Sequence, residues 1–200
     1  MIKKSLKIFL GILIFVVLLT FYLLSDFNPI YQNDEFVTLT NKLKDTKKEN
    51  LNAFILIYEK INSKTREKKC QCDRATDYIG PYRHGYSPTK LLYKLKIQRE
   101  FTQTDCFKYI LLNTNFKSTY STYNYKTFGV KEASKFYFTK NVEQLNRIEV
   151  ITLFAMLQNP SLYDPRRNKK GLYMRVKVLE SILKSSILKP RTIEPYSLKN

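Results

Sequence analysis

FGVKEASKFYFTKNVEQLNRIEVITLFAMLQNPSLYDP, residues 128–165, holds a helix entry, an apolar helix body and a proline-marked exit, in that order. Asn146-Arg147-Ile148-Glu149 has the Asn-x-x-Glu form of a capping box. Its Asn side chain accepts an orphan backbone N–H and its glutamate reaches back to the cap. A helix is therefore predicted to start at Arg147. The body, Ile148 to Leu157, places apolar residues on nearly every face and carries no lysine or arginine, the pattern of a helix enclosed by its domain. Asn159-Pro160 stops it, because proline pushes the residue before it out of the α region.

Working outward, Val130 to Phe138 reads as the helix that leads into this stretch. Beyond Pro165 the basic run Arg166, Arg167, Lys169 and Lys170 precedes a last helix, Leu172 to Leu188, closed by Pro190. Upstream, Asn115 to Lys126 is polar and aromatic without helical period and reads as a loop. Thr104 to Asn113 reads as a helix, and so does Thr89 to Phe101, with Pro88 in its first turn. Ser63 to Gly85 is the least regular part, with a turn at Gly80-Pro81. Asn52 to Ile61 is an apolar run that suits a buried helix or strand. Glu35 to Lys48 reads as a charged surface helix, and Asp26 to Asn33 as a short polar connector. No internal repeat or glycine-rich phosphate loop is present; the five glycines are scattered.

With 200 residues, 44% of them hydrophobic and 14% aromatic, the chain can build one domain with a real core but hardly two. Ile8 to Leu24, roughly 17 uncharged residues, nearly spans a bilayer core at a rise of ~1.5 Å per residue. Lys3, Lys4 and Lys7 precede it, which by the positive-inside rule keeps residues 1–7 in the cytoplasm and places the chain after Asp26 outside. A retained anchor is expected rather than a cleaved signal peptide, because the apolar run is long and no Ala-x-Ala-like site comes after it. The expected organisation is thus a basic N-terminus (1–7), a transmembrane anchor (8–24), a membrane-proximal connector (25–48) and one domain (49–200). The net charge of +18 points to an anionic partner. Outside the cytoplasm that means lipid head groups, a lipid-linked pyrophosphate or an acidic wall polymer rather than nucleic acid. Of three cysteines, Cys70 and Cys72 stand too close for an ordinary disulfide loop, and one histidine is too few for a zinc site. Cys106, in a helical pattern, reads as a small core residue.

Several motifs resemble the peptidoglycan glycosyltransferase family, the lysozyme-like domain of monofunctional transglycosylases and class A penicillin-binding proteins. Gly129-Val130, Ala133-Ser134 and Tyr137-Phe138 are similar to its Gly-(Val/Ile)-x-x-Ala-(Ala/Ser)-x-x-Tyr-Phe segment. Leu145, Glu149 and Phe154-Ala155 follow its Leu-x-x-x-Glu-x-Ala-x-Leu-Ala. Pro160 and Tyr163-Asp164-Pro165 resemble its Pro-x-x-Tyr-(Asn/Asp)-Pro, and Arg175 to Ile182 its Arg-x-x-Val-Leu-x-x-Met. Arg99-Glu100-Phe101-Thr102 and Leu111-Leu112-Asn113 resemble the upstream segment ending in Tyr-Leu-Asn. Order and spacing hold over roughly a third of the domain, which makes the match fairly specific. The resemblance implies a mainly α, lysozyme-like domain behind one transmembrane helix. It also implies a place on the cytoplasmic membrane with the C-terminal domain periplasmic or extracellular.

The resemblance further implies chemistry. The family joins disaccharides by deprotonating an acceptor hydroxyl with a glutamate while basic groups and a second glutamate help the lipid pyrophosphate leave. That requires a positioned carboxylate and a nearby cation. The first glutamate belongs to Glu-Asp-x-x-Phe-x-x-His-x-Gly, for which two registers compete. One places Asp77 at the catalytic position, with His84, Gly85 and Pro88 falling into place; the other places Glu59 there, after Ala53 to Tyr58. The family's Gly-x-Ser-Thr-Ile-Thr-Gln-Gln has only a faint echo in Gly85-Tyr86-Ser87. Its Arg-Lys-x-x-Glu would fall near Tyr86 to Lys90, where Lys90 or Leu91 replaces the glutamate. The substrate-binding set that the resemblance implies is Arg83, His84, Ser87, Lys90, Lys94, Lys96 and Asn113. The three lysines would form a cationic strip against phosphate or, in the plainer reading, a solvated helix face. Glu100 reads as a framework residue and Glu149 as a cap.

If active, such a chain extends glycan from a lipid-linked disaccharide precursor at the membrane and acts on peptidoglycan, with other cell-wall synthesis proteins as candidate partners. No cofactor is implied beyond an optional divalent cation, and no metal ligand set is expected. A degenerate homologue that binds precursor, glycan or such a partner without turnover is the alternative. A membrane-anchored helical protein sharing only the framework is the third reading.

Overall fold

In the computed structural model of the chain, which describes residues 2–64, 69–79, 87–116 and 129–184, nine α-helices run in the order α1 (Ile2–Leu23), α2 (Asp34–Thr46), α3 (Asn52–Lys64), α4 (Gln71–Thr76), α5 (Pro88–Glu100), α6 (Gln103–Asn113), α7 (Gly129–Phe138), α8 (Arg147–Gln158) and α9 (Lys169–Lys184). No strand occurs among the described residues, so the fold is mainly α as expected. Two compact units emerge: residues 1–50 with 69–113, and residues 51–68 with 114–200.

The second unit contains the capped helix. Asn146 Oδ1 accepts the Glu149 backbone N–H at 3.0 Å, and Glu149 Oε2 accepts the Asn146 N–H at 2.7 Å, so α8 starts at Arg147 as the capping box predicts. Val150, Ile151 and every residue from Leu153 to Leu157 are buried, and Asn159 turns extended ahead of Pro160. α3 and α9 pack on α8, and α7 on its start. The Asn52 to Ile61 run is therefore a helix, with Phe54, Ile57 and Tyr58 as its buried face. Gly129 opens α7 at φ 76, a conformation that suits glycine, and its N–H donates to the Thr114 carbonyl at 2.9 Å. α9 begins at Lys169, three residues before the predicted start, because Asn168 Oδ1 accepts the Gly171 N–H at 2.9 Å and caps it. The predicted end of that helix, with Pro190, lies outside the described residues, as does most of the predicted 115–126 loop.

The first unit departs further from expectation. α1 is apolar and its large side chains are exposed, and Leu6–Leu23 is long and apolar enough to cross a membrane. The 26–33 stretch is more than a polar connector. Asn28 caps a 3-10 turn over Pro29–Gln32, and Tyr31 is buried in a cluster of tilted rings, with Phe36 at 5.1 Å and Tyr93 at 6.3 Å. α2 is amphipathic rather than merely superficial: Phe36, Leu39 and Leu43 are buried, and the helix packs on α6. A short helix, α4, lies inside the stretch that lacks a periodic pattern.

Cys106 requires a correction. It is buried, as a core residue would be, yet it is bonded to Cys72, with the two Cα atoms 4.9 Å apart. This disulfide joins α4 to α6 across 34 residues of sequence. The close Cys70–Cys72 spacing masks this longer loop, which α4 closes by lying against α6. Cys70 is the free cysteine.

Candidate functional site

The first unit assembles most of the described candidate residues along α4 and α5. Ser87 caps α5, its Oγ accepting the Lys90 N–H at 3.4 Å, and Pro88 fills the first turn, where no N–H is needed. From that start Lys90 and Lys94 rise one turn apart on one face. Asp73 and Asp77 are also four residues apart, the latter just past the end of α4 and still in αR geometry. The two pairs meet: Lys90 Nζ lies 2.6 Å from Asp77 Oδ1, and Lys94 Nζ 3.6 Å from Asp73 Oδ2. Asp73 also accepts from Gln98 Nε2 at 2.6 Å. The result is an open ladder of alternating charge, with the Asp77 side chain 56% exposed and the Lys90 side chain 30% exposed.

Asp73 is a member of the ladder that the motifs do not point to. The signal for it is the shared four-residue spacing of the aspartates and the lysines, which becomes readable only once 71–76 is known to be helical.

Lys96 leaves the strip. Its side chain is almost wholly buried and its ammonium is saturated by Asp26 at 2.6 Å, Glu100 at 2.9 Å and the Leu24 carbonyl at 3.0 Å, over the Tyr31 ring. Burial pulls the Lys96 pKa down, but hydrogen bonds to Asp26 and Glu100 outweigh it and hold the group above its ordinary value. The same hydrogen bond keeps Asp26 below the usual carboxylate range. With the Tyr31 hydroxyl donating to the Leu23 carbonyl at 2.9 Å, Lys96 closes the C-terminal end of α1. Glu100 is a framework residue, as expected.

Asn113 Nδ2 donates to the Tyr109 carbonyl one turn back on its own helix, at 2.8 Å. Glu59 lies in the second unit, exposed on α3. Arg83 and His84 lie outside the described residues. Among the described residues no group of three His, Cys, Asp or Glu side chains could hold a metal ion.

The family-like motifs of the second unit perform framework tasks. Glu149, besides capping α8, meets Lys140 Nζ at 2.6 Å; that bond, then the Asn146 N–H, lowers its pKa. Asp164 is buried and its carboxylate accepts the Arg166 N–H at 2.9 Å, so Tyr163-Asp164-Pro165 builds the turn before α9. The Tyr137 hydroxyl donates to the Phe116 carbonyl at 3.1 Å, and burial, followed by the Asp164 charge, pushes its pKa up to about 12. Arg175 donates from Nε to Gln158 Oε1 at 2.9 Å, tying α9 to the end of α8.

Residues 89–184 match the transglycosylase family model, a span that contains the lysines and begins after Glu59, Asp73 and Asp77. The chain is 29% identical over 118 residues to penicillin-binding protein 1A of Mycobacterium tuberculosis, covering 56% of this chain and 14% of that protein. It is 30% identical over 80 residues to penicillin-binding protein 4 of Bacillus subtilis, covering 40% and 12%, and 34% identical over 53 residues to a biosynthetic peptidoglycan transglycosylase of Chromobacterium violaceum, covering 26% and 23%. The matches thus span less than a quarter of the length of each relative. With a mainly α fold, the motifs in order and these matches, residues 89–184 are similar to the peptidoglycan transglycosylase family.

Proposed function

We propose that this protein is a membrane-anchored peptidoglycan glycosyltransferase that extends glycan from a lipid-linked disaccharide outside the cytoplasmic membrane. The observation that carries this reading is the 2.6 Å contact of Asp77 with Lys90, beside the Lys94–Asp73 pair. It brings a carboxylate and ammonium groups to one edge, the combination that glycosyl transfer to a hydroxyl needs. In this reading the pyrophosphate of the donor competes for Lys90 and Lys94 and so releases Asp77. Asp77 takes the proton of the acceptor hydroxyl, the new C–O bond forms at the anomeric carbon, and the bond to pyrophosphate breaks. The electron pair leaves with the lipid pyrophosphate, whose charge the lysines meet. Arg83, His84, Ser87 and Asn113 are assigned to the surrounding substrate contacts, and Glu59 is the base in the competing register.

Leu6–Leu23 supports the anchor, and the lysines before it support the orientation. The Cys72–Cys106 disulfide suits an oxidising compartment. A second reading, precursor or partner binding without turnover, is favoured by the openness of the site: the Asp77 side chain is 56% exposed and ion-paired, whereas a general base gains from a partly apolar enclosure. The test is incubation of the purified full-length chain with lipid-linked disaccharide, followed by separation of products on a gel. Polymer that is lost in Asp77→Asn supports the first register, and loss in Glu59→Gln the second. No polymer from a protein that still binds the precursor overturns turnover and leaves the binding reading.

A further inference from the structure

The second unit carries a groove of about 320 Å³ lined by α3, the start of α8 and the end of α9. Its lining begins with Ala53, Leu56, Ile57 and Lys60, which recur at i, i+3, i+4 and i+7 and therefore form one stripe of α3. Leu145, Arg147, Val150 and Leu183 complete it. Leu56 is 58% exposed at the rim, while Ile57, Val150 and Leu183 form a buried floor. The two charged residues of the lining, Lys60 and Arg147, are both exposed cations. Among the described residues no carboxylate lines the groove. The nearby Glu149 is already committed to Lys140 and to the α8 cap.

We infer that this groove binds an anionic lipid, with an acyl chain laid on Leu56, Ile57, Leu145, Val150 and Leu183 and the phosphate held by Lys60 and Arg147. Charge complementarity selects the occupant: an apolar trough with two cations and no acid matches one apolar chain with an anionic head. It disfavours the chain's own residues 185–200, which come after Leu183 and carry Lys189, Arg191 and Lys199 against a single acid, Glu194. This inference concerns a different unit from the lysine–aspartate ladder and stands whether or not the protein turns over glycan.

The experiment places the full chain in phosphatidylcholine nanodiscs doped with phosphatidylglycerol that carries a photoreactive acyl chain, and maps the cross-links by mass spectrometry. Cross-links are expected on α3 and α8 at the groove. They should fall about tenfold in Lys60→Glu/Arg147→Glu, because two charge-assisted contacts are lost. Soluble dodecyl phosphate should compete, and dodecanol should not. Direct binding of dodecyl phosphate to the detergent-solubilised chain, lost in Lys60→Glu/Arg147→Glu, without labelling from nanodiscs would overturn the bilayer-lipid assignment in favour of a free amphiphile. Should the charge-reversed protein lose its fold, Leu56→Glu provides a second variant with the cations intact, and its labelling should also drop. Equal labelling by a neutral photoreactive lipid, or labelling untouched by all three substitutions, overturns the inference. Labelling that arises only after truncation beyond Lys184 overturns it too, by identifying the C-terminal segment as the occupant.

Discussion

The α8 region and the α4–α5 edge belong to different units and are held by different forces. α8 is fixed by burial and by its cap: seven of its residues are buried, and Asn146 and Glu149 satisfy each other's backbone donors. At the α4–α5 edge the buried side chains of α4 are small or polar: Gln71, Cys72, Ala75 and Thr76. α4 is six residues long, a disulfide fastens it to α6, and exposed ion pairs join it to α5. The difference teaches that the family-matched residues of the second unit specify framework, whereas charges that a ligand could redistribute lie in the first. Exposed pairs of that kind contribute only ~0–1 kcal/mol each, so an incoming phosphate can displace them at little cost.

The contrast can be broken first at the disulfide. Closing a loop of 34 residues constrains the unfolded chain by about 4 kcal/mol. Cys72→Ser/Cys106→Ser should therefore lower stability by about that amount in denaturant unfolding. A loss well below 1 kcal/mol would mean that α4 holds its place without the cross-link, and the contrast would fail. Leu153→Ala should come next at about 3 kcal/mol, since Leu153 is fully buried and its loss leaves a cavity. Near-neutrality there would deny α8 its role as the centre of its unit.

The smallest effect sharpens the role of the cap. Asn146→Ala should cost about 1 kcal/mol. The Glu149 part of the cap also predicts a pH dependence. Its pKa is lowered in the folded state, so its contribution is fully present above the ordinary glutamate value near 4.5 and is lost as pH falls through the lower folded value. Glu149→Gln should remove that acid-side slope, as read by unfolding at pH 3 and pH 7.

α8 is legible in the sequence because a capping box, an unbroken apolar body and a proline stop are all local signals. α5, α6 and α7 are legible for similar reasons. α4 is hidden by its length, since six residues span fewer than two turns and show no period. With α4 hidden, neither the Cys72–Cys106 bond nor the pairing of Asp73 with Lys94 can be read. Lys96 looks like its helical neighbours, and its burial depends on Asp26 and the end of α1, about 70 residues away in sequence. Such long-range closure leaves no mark in a periodic pattern. Within the site, the choice of Lys90 and Lys94 comes from family resemblance, and the ladder geometry adds what the resemblance could not, a carboxylate partner for each.

The most direct measurement is the affinity of the full-length protein, in nanodiscs, for lipid-linked disaccharide, compared between wild type and Lys90→Ala/Lys94→Ala. The variant should bind about tenfold or more weakly, through loss of charge-assisted contacts to pyrophosphate, while its unfolding stays within ~1 kcal/mol of wild type. Equal affinity in the two proteins, with the fold intact, would contradict the claim that the α4–α5 ladder is where the precursor is engaged.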